Sequence, residues 1–171
     1  PESNAMIERT NLDILEGTRT SMIHAGFPEC FWPFAAPTYC FLDNTNTIGR
    51  DGKIIPEGSA WYLAKGAESE ALRIPFGCEV IFFPSATKTA DATAKWEGTG
   101  VAGVFAGYNI TPGYSWNGQY LVWSLNELSK IDQRSESGNY PVSIRNPHVT
   151  KVVRLPDGGK TIRFPMKDEW T

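Results

Sequence analysis

Two stretches decide the fold: Val101-Ala102-Gly103-Val104-Phe105-Ala106-Gly107-Tyr108, and Tyr114-Ser115-Trp116-Asn117-Gly118-Gln119-Tyr120-Leu121-Val122-Trp123. The first is rich in Val, Phe and Gly and reads as a strand. In the second, Asn117-Gly118 separates two aromatic runs. Asn and Gly both accept positive φ, so this pair predicts a type I′ turn between two strands. Strand character begins upstream at Ile74, and Cys78-Glu79-Val80-Ile81-Phe82-Phe83 reads as a strand closed by Pro84. Several short strands at this spacing predict a small antiparallel barrel.

Before the strands the period changes. Asn4 to Ala25 reads as one helix, with Ile7, Ile14, Leu15, Met22 and Ile23 near helical spacing and Asn4 as N-cap. Gly26 and Pro28 supply the stop. A second helix is expected from about Pro28 to Leu42; it is apolar nearly all round and so expected to be buried. Pro33 suits its first turn, whereas Pro37 is expected to kink it. From Asn44 to Glu70, Asn, Thr, Gly and Pro mark a surface loop, with a short helix near Trp61-Tyr62-Leu63. Beyond the strands, Gln133 to Asn139 reads as a loop. A final hairpin is expected from Val149–Leu155, a turn at Pro156-Asp157-Gly158-Gly159, and a return over Lys160–Phe164. The fold class is therefore α+β.

Composition narrows the function classes. With 41% hydrophobic, 12% aromatic and 20% charged residues, the 171-residue chain has the content of a folded domain or two small ones. Its net charge of -3 does not advertise a nucleic-acid binder. Cys30, Cys40 and Cys78 are widely spaced and contain no C-x-x-C pair, which argues against a zinc site or disulfide scaffold and for buried thiols in a reducing compartment. No apolar run reaches the roughly 20 residues of a membrane span. The opening Pro1-Glu2-Ser3-Asn4 is no signal peptide; it starts without Met, as a fragment would.

Most catalytic patterns are absent. There is no G-x-S-x-G, no phosphate loop, and only His24 and His148 as histidines. Glu8, Asp13 and Glu16 do not share one helix face. Between Gly138 and Lys167 lie six basic residues, Arg145, Lys151, Arg154, Lys160, Arg163 and Lys167, against one acid, Asp157. Such a stretch suits phosphate contacts or, more commonly, a hairpin edge kept from aggregating. Trp96, Tyr108, Tyr114, Trp116, Tyr120 and Trp123 suit either base stacking or, more commonly, the core of a small barrel.

The order of segments carries a resemblance. Pro1-Glu2-Ser3-Asn4-Ala5-Met6-Ile7-Glu8-Arg9-Thr10-Asn11 resembles the P-x-x-N-G-x-x-E-R-x-N signature of copia-type retrotransposon integrases, with Ala5 in place of Gly. Gly17-Thr18-Arg19, His24-Ala25-Gly26-Phe27-Pro28 and Phe31-Trp32-Pro33-Phe34-Ala35 are similar to the segment that follows it. Leu72-Arg73-Ile74-Pro75-Phe76-Gly77-Cys78 resembles the family's L-R-x-F-G-C element with a residue inserted. Lys95-Trp96-Glu97-Gly98 with Gly103–Tyr108, and then Pro112–Val122, are similar to its SH3-like domain. The match runs from Pro1 to about Leu128, in order.

The resemblance implies a division into residues 1–45 (last helices of an RNase H-like core), 46–71 (linker), 72–130 (SH3-like barrel) and 131–171 (linker and basic hairpin). It makes Glu8 the third carboxylate of a site that holds magnesium ions for phosphoryl transfer in DNA integration. Arg9 and Asn11 are expected beside DNA, and Arg145, Lys151, Arg154, Lys160 and Arg163 are candidate DNA contacts. The implied partners are DNA and the rest of the polyprotein, in a nuclear or cytoplasmic particle, without a membrane. The site's two Asp residues belong upstream of Pro1, so the chain alone is expected to be inactive. The alternatives are a non-catalytic DNA-binding or interaction module, and a degenerate remnant. Without an upstream sheet to bury Phe31, Trp32 and Phe34, self-association or disorder of the helices is expected.

Overall fold

The structure is a computed structural model and describes residues 2–84, 100–131 and 140–168. Helix α1 spans Glu2–Ala25, so Asn4 lies inside it rather than at its cap. The helix stops at Gly26, whose φ of 76° is left-handed. The Phe27 and Gly26 amides turn back to Met22 O (3.0 Å) and Ile23 O (3.2 Å), which satisfies the last carbonyls. A 3-10 turn over Glu29–Phe31 leads into α2, Trp32–Asn44. Helix α2 has Pro33 in its first turn and runs as one element through exposed Pro37. It lies against α1 where Gly17 leaves room for the Tyr39 ring. A short helix, α3 (Ala60–Lys65), sits where Trp61-Tyr62-Leu63 predicted one. The Ser59 hydroxyl caps it by accepting from Tyr62 N, and Gly66 ends it at φ 77°.

Five strands follow: β1 (Glu79–Phe82), β2 (Val101–Thr111), β3 (Ser115–Ser124), β4 (His148–Thr150) and β5 (Val153–Arg154). They form one antiparallel sheet in the order β4-β3-β2-β1-β5. Short helices α4 (Leu125–Ser129), α5 (Val142–Arg145) and α6 (Pro165–Asp168) complete the described elements.

The sheet is open, not the closed barrel that the strand spacing predicts, although its two edges are drawn toward each other. β4 and β5 occupy opposite edges, but only Lys151 and Val152 separate them in the chain. Three extended steps span at most about 11 Å, whereas the edges of a flat five-stranded sheet lie roughly 19 Å apart. The sheet must therefore curl. Thr150 Oγ1 accordingly approaches Phe83 O (3.5 Å), and the His148 ring lies 5.4 Å from that of Phe82.

Two sequence expectations fail here. The β2–β3 turn is at Pro112-Gly113-Tyr114, with Gly113 and Tyr114 at φ 78° and 51°; Thr111 pairs with Ser115 across it. Asn117-Gly118 lies inside β3, as part of an irregularity between the Tyr108–Tyr120 and Ile110–Trp116 pairs. Gly118 uses its positive φ of 79° to form a bulge rather than a hairpin. The Gln119 backbone carbonyl then accepts from Trp116 Nε1 (2.8 Å), and its side chain accepts from Asn109 Nδ2 (2.9 Å).

The C-terminal hairpin is also absent. His148–Thr150 and Val153–Arg154 pair with β3 and β1 rather than with a returning strand. Thr150 Oγ1 accepts from Val152 N (3.3 Å) and so supports the change of direction. Pro156–Gly159 forms a 3-10 turn, and Lys160–Phe164 is irregular. The expected loop at Gln133–Asn139, like Trp96, lies outside the described residues.

The helices are covered by the sheet. Phe31, Ala35, Met22 and Ala25 pack with Phe76, Val104, Ala106 and Trp123. Phe31 is edge-on to Trp123, with ring centroids 5.5 Å apart, and Phe34 meets the same indole at 5.0 Å. Phe31 and Phe34 thus find within this chain the cover expected from an upstream sheet, while Trp32 stays exposed. The other sheet face encloses Phe41, Ile74, Cys78, Val80, Phe82, Phe105, Tyr108, Tyr120 and Val122. A register shift between Phe105 and Gly107 changes the alternation. Phe105 and Tyr108 therefore share this inner face, 5.1 Å apart.

Candidate functional site: a helix–sheet junction and an exposed helix

The segment Leu72–Cys78 joins the helices to the sheet. Arg73 donates to Leu42 O (2.9 Å) and Thr45 Oγ1 (2.8 Å). A cation at a helix C-terminus satisfies its last carbonyls and opposes its dipole. The Tyr108 hydroxyl accepts from Ile74 N (3.0 Å) and donates to Leu72 O (2.6 Å), while the Tyr120 hydroxyl accepts from Leu72 N (3.0 Å). Gly77 N donates to Phe105 O, and Phe105 N donates to Cys78 O, both at 2.9 Å. This lattice gives the backbone of an irregular segment over a buried core partners at Leu72, Ile74, Gly77 and Cys78.

Burial dominates the local titration behaviour. It pushes the Cys78 thiol up to about 12 and raises both Tyr108 and Tyr120, against their backbone hydrogen bonds. Cys40 is also raised by burial. The three cysteines are free, but they are not uniformly buried: Cys30 is exposed, with its sulfur 2.9 Å from the Tyr140 hydroxyl. Sequence reasoning missed Arg73, Tyr108 and Tyr120 as the joints of the fold. Their signal, two Tyr on inward-facing strand positions, was legible only as core.

Glu8, the predicted metal ligand, is exposed on the first half of α1, as are Arg9 and Asn11. Glu8 and Asn11 share a helix face, and Arg9 points away from it. Among the described residues, no three His, Cys, Asp or Glu side chains cluster to hold an ion. A lone exposed carboxylate is not a divalent-cation site, because magnesium requires several oxygen ligands. The described residues by themselves do not make up a site for the implied magnesium.

The basic candidates are all exposed but not gathered with Glu8 by any hydrogen bond or ion pair among the described residues. Arg145 ends α5. Lys151 lies in the step between the sheet edges, and Arg154 on β5 stands 5.9 Å over the Phe83 ring. Lys160 and Arg163 follow the 3-10 turn, and Arg163 pairs with Asp157 at 3.4 Å. Of the aromatic candidates among the described residues, Tyr108, Tyr120 and Trp123 are buried, Trp116 is half-buried and Tyr114 is exposed. The core reading holds for the three buried rings.

No helix among the described residues is long and apolar enough to cross a membrane. Compared with protein-family models, curated proteins and solved structures, the chain matches none.

Proposed function

We propose that the chain is a segment of a copia-type retrotransposon integrase. In this reading α1 carries Glu8, one of three carboxylates that hold magnesium when the upstream core is present, and the curled sheet is the SH3-like domain after that core. The chain contacts DNA and the remainder of the polyprotein, and it catalyses nothing alone. The observation that carries the reading is the ordered set of five motifs, three of which meet at one junction. Phe31 of the F-W element, Phe76 of the L-R-F-G-C-like element, and Val104 and Ala106 of the G-V-F-A-G-Y strand share a single core. The test is the reading frame upstream of Pro1. A continuous frame with two Asp residues on strand-like segments supports the proposal. A start codon or stop codons before any such Asp overturns it.

The second reading is a DNA-binding or interaction module without catalysis. It is favoured by exposed Lys151, Arg154 and Lys160, none of which is in an ion pair among the described residues. Duplex DNA binding that weakens steeply with salt, from a gene lacking the upstream Asp residues, selects this reading.

A further inference from the structure

A cleft of about 380 Å³ is lined by Trp61 of α3, by Trp116 near the start of β3, and by Glu68 and Glu70 from the chain after α3. Both indoles are half-buried, and Glu68 and Glu70 are exposed. The fold fixes the two rings. Trp61 packs edge-on to Phe41, with ring centroids 5.5 Å apart, on a helix that Ser59 caps and Gly66 ends. Trp116 donates from Nε1 to Gln119 O (2.8 Å) and lies edge-on to Tyr120 at 5.2 Å. The bulge at Asn117-Gly118 also lines the cleft. A bulge re-aims the side chains beside it.

We infer that this cleft takes the guanidinium of an arginine from a basic peptide segment of a partner protein. Charge and shape identify the occupant. Neither Glu68 nor Glu70 is in an ion pair among the described residues. Two carboxylates on one cleft repel each other, and a cation between them reverses the sign of that interaction. Aromatic faces attract cations, and indole does so best. Trp61 already behaves in this way. Lys65 Nζ stands 5.7 Å from its ring centroid, tied to Gly113 O (3.0 Å) and Ser115 Oγ (3.4 Å). Lys65 does not line the cleft, and Arg73 is held at the end of α2, so neither cation pairs with the carboxylates. A guanidinium is planar. It stacks on an indole while its fork of N–H donors meets a carboxylate, which a compact ammonium does not do. Nucleic acid has the wrong sign here, because its phosphates meet Glu68 and Glu70. The walls stand in place before the ligand arrives, which lowers the ordering cost of binding. This inference rests on the sheet end of the chain and needs neither Glu8 nor an upstream core.

Nuclear magnetic resonance of the isotope-labelled full chain tests it, with a blocked glycine-rich peptide that carries a single arginine as the probe. The Trp61 and Trp116 indole N–H signals should shift saturably. The same peptide with citrulline, the neutral isostere, should leave both signals in place. The lysine peptide should bind about threefold or more weakly. The variant Glu68→Gln/Glu70→Gln, at exposed positions and so still folded, should raise the arginine peptide's dissociation constant about fivefold or more. Asp13→Asn/Glu16→Gln, which neutralises two exposed acids on α1 instead, should leave it unchanged. No saturable shift at millimolar peptide, an equal response to citrulline, equal affinity for lysine, or full binding after loss of both carboxylates would overturn the inference. Shifts of the same two indoles by oligothymidylate would overturn it in favour of a base-stacking platform.

Discussion

Gly77 lies so close to Ala25 that a methyl on its α-carbon would approach the Ala25 methyl to 2.5 Å. Its φ of 77° is also one that side-chain-bearing residues rarely adopt. The end of α1 and the entry to β1 therefore touch through a glycine. Gly77→Ala is expected to destabilise the chain by about 2–4 kcal/mol, from backbone strain and steric displacement together. Urea denaturation measures it; an unchanged midpoint would show that the two elements do not press on each other.

Phe31→Ala should cost about 3–5 kcal/mol, because the ring is buried among Phe27, Trp123 and Tyr140. Helix and sheet signals should fall in one transition. Separate melting of far-ultraviolet helicity and of near-ultraviolet aromatic dichroism would contradict a shared core.

Tyr108→Phe removes the hydroxyl that serves both Ile74 N and Leu72 O. Leaving these groups unpaired should cost about 1–3 kcal/mol with little change in volume. In hydrogen exchange, the Ile74 amide should lose protection before the β2 amides do.

Alkaline pH should destabilise the fold. Burial raises the Cys78 thiol from its ordinary 9.0 to about 12, and it raises Tyr108 from 10.0. A folded pKa above the unfolded one gives stability that is complete below the unfolded value. That stability is lost as pH rises toward the folded value, by up to about 1.4 kcal/mol per pH unit for each group. The decline should begin near pH 9 in the native chain. In Cys78→Ala the decline should be shallower over the first unit, where Cys40, also raised from 9.0, is the remaining thiol, and Tyr108 should add to it above its ordinary 10.0. Unchanged pH profiles of the denaturation midpoint would refute the linkage.

The triple variant Lys151→Ala/Arg154→Ala/Lys160→Ala should weaken duplex DNA binding and reduce the salt slope by about one unit per lost phosphate contact. Fluorescence anisotropy at several salt concentrations reads both quantities. Equal affinity and slope would remove the basic segment from the DNA interface.

The helices were legible because their signals are local: apolar spacing from Ile7 to Ile23, a stop at Gly26, and Ser59 and Gly66 around a short helix. The strands were legible as apolar runs, but their joints were not. Asn117-Gly118 offers positive φ to a turn and to a bulge alike, and nearby Pro112-Gly113-Tyr114 decided between them by turning first. The edge strands hide because Lys151 and Val152 read as the middle of one strand from Val149 to Leu155, whereas they cross between the two edges of a curled sheet. That is a non-local property. Glu8 was singled out by resemblance alone, since an exposed helical carboxylate carries no mark of a metal role.

The most direct measurement joins the upstream reading frame to this chain and assays magnesium-dependent joining of element DNA ends to target DNA, with Glu8 intact and as Glu8→Gln. The expected result is joining by the longer protein, none by Glu8→Gln, and none by residues 1–171 alone. Joining that survives Glu8→Gln, or that the 171-residue chain performs alone, would contradict the integrase reading of this site.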